Sequence, residues 1–188
     1  MTSKLGHRLL PESEISVFQR ALDELKAGKN WNGLRDFLKD KSELYPDDYY
    51  ILTELSQAYF LINSPKDALC AAQKAFLLEE NDELVIYNLA MALQLNGMYS
   101  DAMKYFDMIL SKLIDDIAYG NHGEGKKWAK SLHNDSLYMK GVCYMELGNN
   151  EEAAYCIRSH IYNRRRGIYS DFSRKQVLRR LNKLQHLT

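Results

Sequence analysis

The stretch KGVCYMELGNNEEA, from Lys140 to Ala153, contains two helix-forming runs separated by a Gly-Asn-Asn turn. Gly141 precedes Tyr144 by three residues. At this spacing a small residue lets two helix backbones approach, and the larger residue fills the gap beside them. Gly148 can adopt the left-handed conformation that ends a helix, and Ala153 lies early in the second run. The stretch therefore predicts a tightly packed hairpin of two helices.

Two upstream segments carry the same pattern, and they are related to each other by a period of 34 residues. The matched pairs are Leu55 and Leu89, Tyr59 and Leu93, Ala68 and Ala102, Ala72 and Phe106, and Ala75 and Ile109. A period of this length indicates small units that stack on one another. The last unit is delayed, because Ala102 and Ala153 are 51 positions apart and 17 residues are therefore inserted.

This pattern resembles the tetratricopeptide repeat (TPR) family. The resemblance implies an all-α fold, a right-handed superhelix of about four TPR-like helical hairpins with a C-terminal capping helix. We predict one domain over 1–188, with repeats at about 12–46, 48–81, 82–115 and 131–166, an insertion at 116–130 and a capping helix at 170–187. Helices are expected at about 12–27, 31–44, 48–62, 65–79, 82–95, 99–115, 131–147, 150–163 and 172–186.

The resemblance also implies that the first helices of the repeats line a concave groove. Carried over by repeat phase, the expected partner-binding residues are Gln19, Tyr50, Thr53, Gln57, Phe60, Tyr87, Asn88, Met91, Gln94, Tyr138 and Met145. Aromatic, Met and amide side chains offer a large contact area and hydrogen bonds to an extended backbone. They predict a groove for a peptide or helical segment of another protein. Alternatively, several of them pack against the next repeat or the capping helix.

Charge is unevenly distributed along the chain. Residues 1–149 contain 16 Lys and Arg against 22 Asp and Glu, whereas residues 150–188 contain nine against three. The basic segment predicts contacts with an acidic partner, and the candidate residues are Arg164, Arg165, Arg166, Arg174 and Arg179. The alternatives are RNA or another polyanion, a head-to-tail homodimer, and a solvated end of the array. A sequence pI near 7.0 and the acidic remainder disfavour nucleic acid.

The insertion contains Gly120 to Lys127, which fits the G-x-x-x-x-G-K pattern of a phosphate-binding loop. Lys127 stands where a Ser or Thr should follow to hold magnesium, and a helix is expected before the loop where a strand is required. The pattern therefore does not predict a nucleotide site. We expect an extended helix or a flexible loop that Trp128 anchors, forming one wall of the groove.

The remaining chemistry argues against an enzyme, a cofactor or a metal site. The three cysteines are far apart and lack a C-x-x-C, the five histidines form no H-E-x-x-H, and no G-x-S-x-G occurs. Residues 1–14 contain no apolar run of signal-peptide length, and no stretch is long enough to span a membrane. These features predict a cytoplasmic, non-catalytic scaffold. The alternatives within this class are a chaperone and an immunity-type protein that occludes a specific partner.

Overall fold

The computed structural model describes residues 9–185, and the regular structure in that range is α-helical, without a strand. The helices are α1 (Glu12–Ala27), α2 (Trp31–Leu44), α3 (Tyr49–Leu61), α4 (Pro65–Leu78), α5 (Glu83–Leu95), α6 (Tyr99–Leu110), α7 (Ile114–Tyr119), α8 (Lys126–Glu146), α9 (Asn150–Arg165) and α10 (Arg174–Gln185). The predicted all-α class and its helical hairpins are confirmed. None of these helices combines the length and apolar character that crossing a membrane requires.

The insertion folds differently from the prediction. We expected α6 to continue to residue 115 and α8 to begin at 131, but α6 ends at Leu110 and α8 begins at Lys126. The short helix α7 lies between them, and its Ile117 and Ala118 are buried. The Gly125 amide donates to the Ala118 carbonyl at 3.0 Å. These contacts hold the insertion in place, whereas Trp128, the predicted anchor, is only half-buried.

The chain divides into two compact units, with the boundary between Glu80 and Asn81. The first unit contains the hairpins α1–α2 and α3–α4, and α2 also packs against α3. Its core is apolar, as the period-3.6 pattern of each helix requires. The core residues are Phe18, Leu22, Leu34, Leu38, Ile51, Leu55, Ala58 and Ala71.

The second unit contains the hairpins α5–α6 and α8–α9, with α7 packed on α8 and α10 packed on α9. Gly141 explains the close approach of α8 and α9. A Cβ at this position would lie 2.9 Å from the Cβ of Cys156 and 3.3 Å from the Ala153 carbonyl oxygen. The small residue that the sequence pattern singled out is therefore required by a backbone contact.

Local signals fix where the hairpin helices begin and end. The Asp48 side chain accepts hydrogen bonds from the first amides of α3, and Asp82 does the same for α5. Gly97 and Gly148 have φ values of +75° and +81° in the turns after α5 and α8. A residue with a Cβ rarely adopts this conformation, so the predicted turn glycines have a direct backbone role.

Candidate partner-binding surfaces

The exposed side of α3 contains the most accessible of the predicted groove residues. Tyr50 is 37% exposed and Phe60 is 39% exposed, and the neighbouring Leu61 is 46% exposed. Gln57 lies between them along the helix and is half-buried. Gln57 follows Tyr50 by seven residues, and Phe60 and Leu61 follow Gln57 by three and four residues. These spacings place the four side chains on one side of a helix. Tyr50, Gln57, Phe60 and Leu61 are called the α3 face below.

Helix α1 orients the tyrosine of the α3 face. The Tyr50 hydroxyl donates to the Gln19 Oε1 at 3.4 Å, and the Gln19 amide donates to Asp23 at 2.9 Å. The Phe18 ring meets the Tyr50 ring edge to face, with centroids 6.4 Å apart. Gln19 and Tyr50, which the sequence predicted for one site, are therefore brought together. The contacts limit the rotamers available to Tyr50 before any partner arrives.

An ion pair that the sequence did not predict joins α3 to α1. The Glu54 carboxylate is 5% exposed overall and lies 2.7 Å from the Lys26 ammonium group of α1. A buried carboxylate requires such a partner, because desolvation strongly disfavours an isolated charge. Lys26 thus links the end of α1 to the middle of α3, beside the α3 face. Its role could not be read from helix periodicity, since the two residues belong to different repeats.

Thr53 is not available to a partner, which corrects its assignment to the groove. The side chain is 2% exposed, and its hydroxyl donates to the Tyr49 carbonyl at 2.7 Å. β-branched Thr commonly forms this bond one turn back along its own helix. The position of Thr53 within the repeat predicted its helix correctly, but it did not predict that the side chain is buried.

In the second unit, α5 uses several predicted groove positions for its own packing. Asn88 is buried, and its amide donates to the Leu84 carbonyl at 2.8 Å. Gln94 donates to the Met139 carbonyl of α8 at 3.2 Å. The assignment of buried Asn88 to partner binding is therefore wrong, whereas Gln94 stays a predicted groove residue whose amide also holds α5 to α8.

Tyr87, Met91 and Met145 are the half-buried members of the predicted groove set in the second unit. The Tyr87 ring packs against Phe106 with centroids 5.9 Å apart. Burial, followed by the nearby carboxylates of Asp135 and Asp171, raises the pKa of Tyr87 well above its usual value. Tyr87 therefore stays neutral at physiological pH and can take part in packing without a charge.

Tyr138 has no exposed surface, so its assignment to the groove is also wrong. Its ring packs between His160, at a centroid distance of 5.1 Å, and Phe172, at 4.7 Å. Phe172 belongs to residues 167–173, which connect α9 to α10 and are called the strap below. The strap covers the α8 position at which a partner was expected.

Two charged residues hold the strap. The Asp135 carboxylate accepts a hydrogen bond from the Asp171 amide at 2.9 Å, and Ser170 also bonds to it. The Arg164 guanidinium donates to the Phe172 carbonyl at 2.6 Å. Arg164 is half-buried and has a structural role in this contact, while its role with an acidic partner stays a prediction. Charge composition alone could not separate it from its neighbours Arg165 and Arg166.

Burial shifts the pKa values of the acid and the imidazole beneath the strap in opposite directions. Asp135 is 3% exposed, and desolvation raises its pKa to about 6, although hydrogen bonds from Ser170 and Asp171 oppose the shift. Desolvation lowers the pKa of His160, whose Nδ1 lies 3.0 Å from the Asn134 carbonyl. A carbonyl only accepts, so Nδ1 carries the proton. Burial thus makes the charged form of each group less favourable than it is in water.

Replacing Arg164 with methionine is expected to loosen the strap while keeping an unbranched apolar stem. Loss of the charged hydrogen bond to Phe172 should cost about 2 kcal/mol locally. Hydrogen exchange at the Asp171 amide should accelerate at least tenfold, the change that about 1.4 kcal/mol produces. The exposed Arg165→Met variant is the control. Equal exchange rates in the two variants would contradict the proposed contact.

The other predicted arginines remain on the surface. Arg165, Arg166, Arg174 and Arg179 are exposed. Arg165 and Arg174 line one shallow depression between α9 and α10. The Arg166 guanidinium lies 5.6 Å from the centroid of the Tyr162 ring, within cation–π range. Within residues 9–185, no group of three or more His, Cys, Asp or Glu side chains is arranged to hold a metal ion.

The glycine-rich segment of the insertion lacks the setting of a phosphate-binding loop. It follows α7 and ends at Gly125, which directly precedes α8. His122 Nδ1 lies 3.6 Å from the Asp82 carboxylate, and the Lys112 ammonium group lies 2.6 Å from Glu83. The insertion and the turn before it therefore contact the start of α5, where they add to the packing of the second unit.

Comparisons with known proteins agree with this architecture. Residues 84–112 and 135–159, which lie in the hairpins α5–α6 and α8–α9, match the family model of the tetratricopeptide repeat. No curated protein matches the chain.

Two similar solved structures are "MamA RS-1 ArsTM double mutant" and "Crystal structure of MamA". The first is 13% identical, with a TM-score of 0.59 over 92% of this chain and 93% of that chain. The second is 15% identical, with a TM-score of 0.45 over 77% of this chain and 95% of that chain. At this identity, the first likeness shows the fold alone. The matched segments, with their small residues at the helix crossings, show that the second unit contains tetratricopeptide repeats.

Proposed function

We propose that this protein is a non-catalytic interaction scaffold whose α3 face binds a peptide or helical segment of a partner protein. The tetratricopeptide repeats of the second unit support a protein–protein interaction scaffold. The observation that carries the finer proposal is the exposure of two aromatic rings, Tyr50 and Phe60, on a first helix. Large apolar side chains kept at the surface at helical spacing are typical of anchors for a partner segment.

The structure of the α3 face favours binding with little loss of conformational entropy. Tyr50 is held by Phe18 and Gln19, so few of its rotamers are lost on association. Gln57 adds an amide that can donate to, and accept from, an extended backbone. The corresponding polar groups of α5 are used internally, as the Gln94 bond to Met139 illustrates. The first unit therefore presents the better candidate surface.

The double variant Tyr50→Ala/Phe60→Ala tests this proposal. A photo-crosslinking amino acid at position 60 first captures the partner in the native host, and the partner is then purified. We expect the double variant to bind it at least tenfold more weakly by calorimetry, which corresponds to about 1.4 kcal/mol. Leu77→Ala is the matched control, because Leu77 is an 84% exposed apolar residue of α4.

The controls separate loss of binding from loss of structure. Circular dichroism should show that the double variant retains its helical signal, since both side chains are substantially exposed. An affinity for the purified partner that is unchanged in the double variant would refute the α3 face as the binding surface. Equal weakening by Leu77→Ala would refute it as well, because the loss would then not be specific to the face.

A further inference from the structure

A second surface, separate from the α3 face, lies on the exposed side of α9. Tyr155, Arg158, Tyr162 and Arg165 follow one another at spacings of three, four and three residues. Spacings that alternate between three and four place side chains in one stripe along a helix. All four are exposed, with Tyr155 at 71% and Tyr162 at 58%. These four residues, with Arg166, are called the α9 face below.

The opposite side of α9 is fixed in the core of the second unit. Ala153, Cys156, Ile157 and His160 are buried, and α9 packs along α8. The α9 face therefore rests on a rigid helix and does not depend on folding around a ligand. Arg166 adds to this order, because its guanidinium lies over the Tyr162 ring. A preorganised surface binds with a smaller entropic cost than a mobile one.

The cations of the α9 face are available to a ligand. In the part of the chain that the structure describes, neither Arg158 nor Arg165 forms an ion pair with an acidic side chain. Residues 150–188 contain nine Lys and Arg against three Asp and Glu. Two of these acids, Glu151 and Glu152, lie in the first turn of α9, so the positive charge is concentrated toward the C-terminal end of the α9 face. Guanidinium groups bind carboxylates through two parallel hydrogen bonds. The tyrosines between them supply apolar area with few rotatable bonds.

We infer that the α9 face binds an acidic helical segment of a partner protein. The three-four spacing is the pattern by which one helix packs against another, so a helix is the form of partner that matches the stripe. The stripe from Tyr155 to Arg165 is about 15 Å long, which corresponds to about three turns of a bound helix. Glutamates at matching spacing would face Arg158 and Arg165, with apolar side chains against the two tyrosines.

A synthetic helical peptide of about 18 residues serves as the probe, with glutamates and leucines alternating along one stripe. Fluorescence anisotropy with the full chain should give saturable binding that weakens when glutamine replaces the glutamates. We expect Arg158→Glu/Arg165→Glu to weaken binding at least tenfold, and Tyr155→Ala/Tyr162→Ala about fivefold. The control Lys127→Glu/Lys130→Glu makes the same change in net charge at exposed sites of α8 and should leave the affinity within about twofold.

Three results would overturn this inference. The first is the absence of peptide binding up to about 1 mM. The second is an equal loss in the α8 control, which would mean that net charge alone governs the interaction. The third is tighter binding of a single-stranded RNA of equal charge with the same dependence on Arg158 and Arg165, which would identify a polyanion site. The Tyr50→Ala/Phe60→Ala variant should bind the peptide like the wild type, so this surface stands independently of the α3 face.

Discussion

Replacing Gly141 with valine is expected to lower the free energy of unfolding of the second unit by about 3 kcal/mol. Even the first added carbon would lie 2.9 Å from the Cys156 Cβ and 3.1 Å from Ile157 Cγ1. The Cys156 Cβ is attached directly to the backbone of α9, so relief of the contact requires the two helices to separate. Separation would also weaken the packing of the residues on either side of Gly141.

Thermal and urea unfolding, followed by circular dichroism, measure this effect. Lys130→Val is the matched control, because it introduces the same β-branched residue at an exposed position of α8. Gly141→Ala should be milder than Gly141→Val by about 1 kcal/mol, because alanine lacks the two γ-methyl groups of valine and has a higher helix propensity. Valine has a higher helix propensity than glycine but a lower one than lysine, so without a steric contact Gly141→Val should cost less than Lys130→Val. Equal or smaller destabilisation by Gly141→Val would therefore contradict a steric requirement for glycine between α8 and α9.

Replacing Asp135 with asparagine is expected to stabilise the second unit at neutral and alkaline pH. The carboxyl has a pKa of about 6 in the folded state and 3.8 as its reference value. Folding therefore favours the protonated acid, and this favourable contribution is lost as pH rises through about 6. Above that pH the buried carboxylate costs about 3 kcal/mol, by the relation of about 1.4 kcal/mol per pKa unit. The Asn oxygen can still accept from the Asp171 amide, while its new amide group reduces the gain if it finds no acceptor.

The pH dependence of unfolding distinguishes this effect from a general stabilisation. The difference between variant and wild type should be largest near about pH 8 and should shrink toward zero near about pH 4. Burial lowers the pKa of His160, so in wild type and variant alike acid favours the unfolded chain at this residue. Asp116→Asn is the control, since it removes an exposed carboxylate of the same unit. A difference that does not vary with pH would contradict the burial of a titrating carboxyl at position 135.

The helices were predictable because the 34-residue pattern determines both packing and helix ends. Ser56, at the position equivalent to Gly141, shows why: its hydroxyl donates to the buried Ala68 carbonyl at 2.9 Å, which holds α3 to α4. The turn glycines and the capping aspartates act on residues next to them in the chain, so the helix ends that they set can be predicted from the sequence. The course of the insertion was not predictable, because Ile117 and Ala118 are buried by contacts that only the folded unit supplies.

The candidate surfaces were only partly predictable, for a related physical reason. Repeat phase assigns a residue to a side of its helix, but it does not say whether the rest of the chain covers that side. Tyr50 and Tyr138 have equivalent predicted roles, yet Tyr50 is exposed and Tyr138 lies under Phe172. Likewise, Arg164 and Arg165 are adjacent in sequence, and only the first bonds to the strap. Tertiary contacts decide both cases.

The strap also limits how this array could be lengthened. In a simple helical solenoid, a further hairpin can be added because each unit ends with a surface that accepts the next. Here the Phe172 ring covers Tyr138, and the Asp171 amide is bonded to Asp135. A hairpin grafted after α9 would have to displace these contacts and would leave a buried carboxylate without its donor. Duplication of the α5–α6 hairpin leaves the strap intact, so new modules are better inserted upstream of α8 than appended after α9.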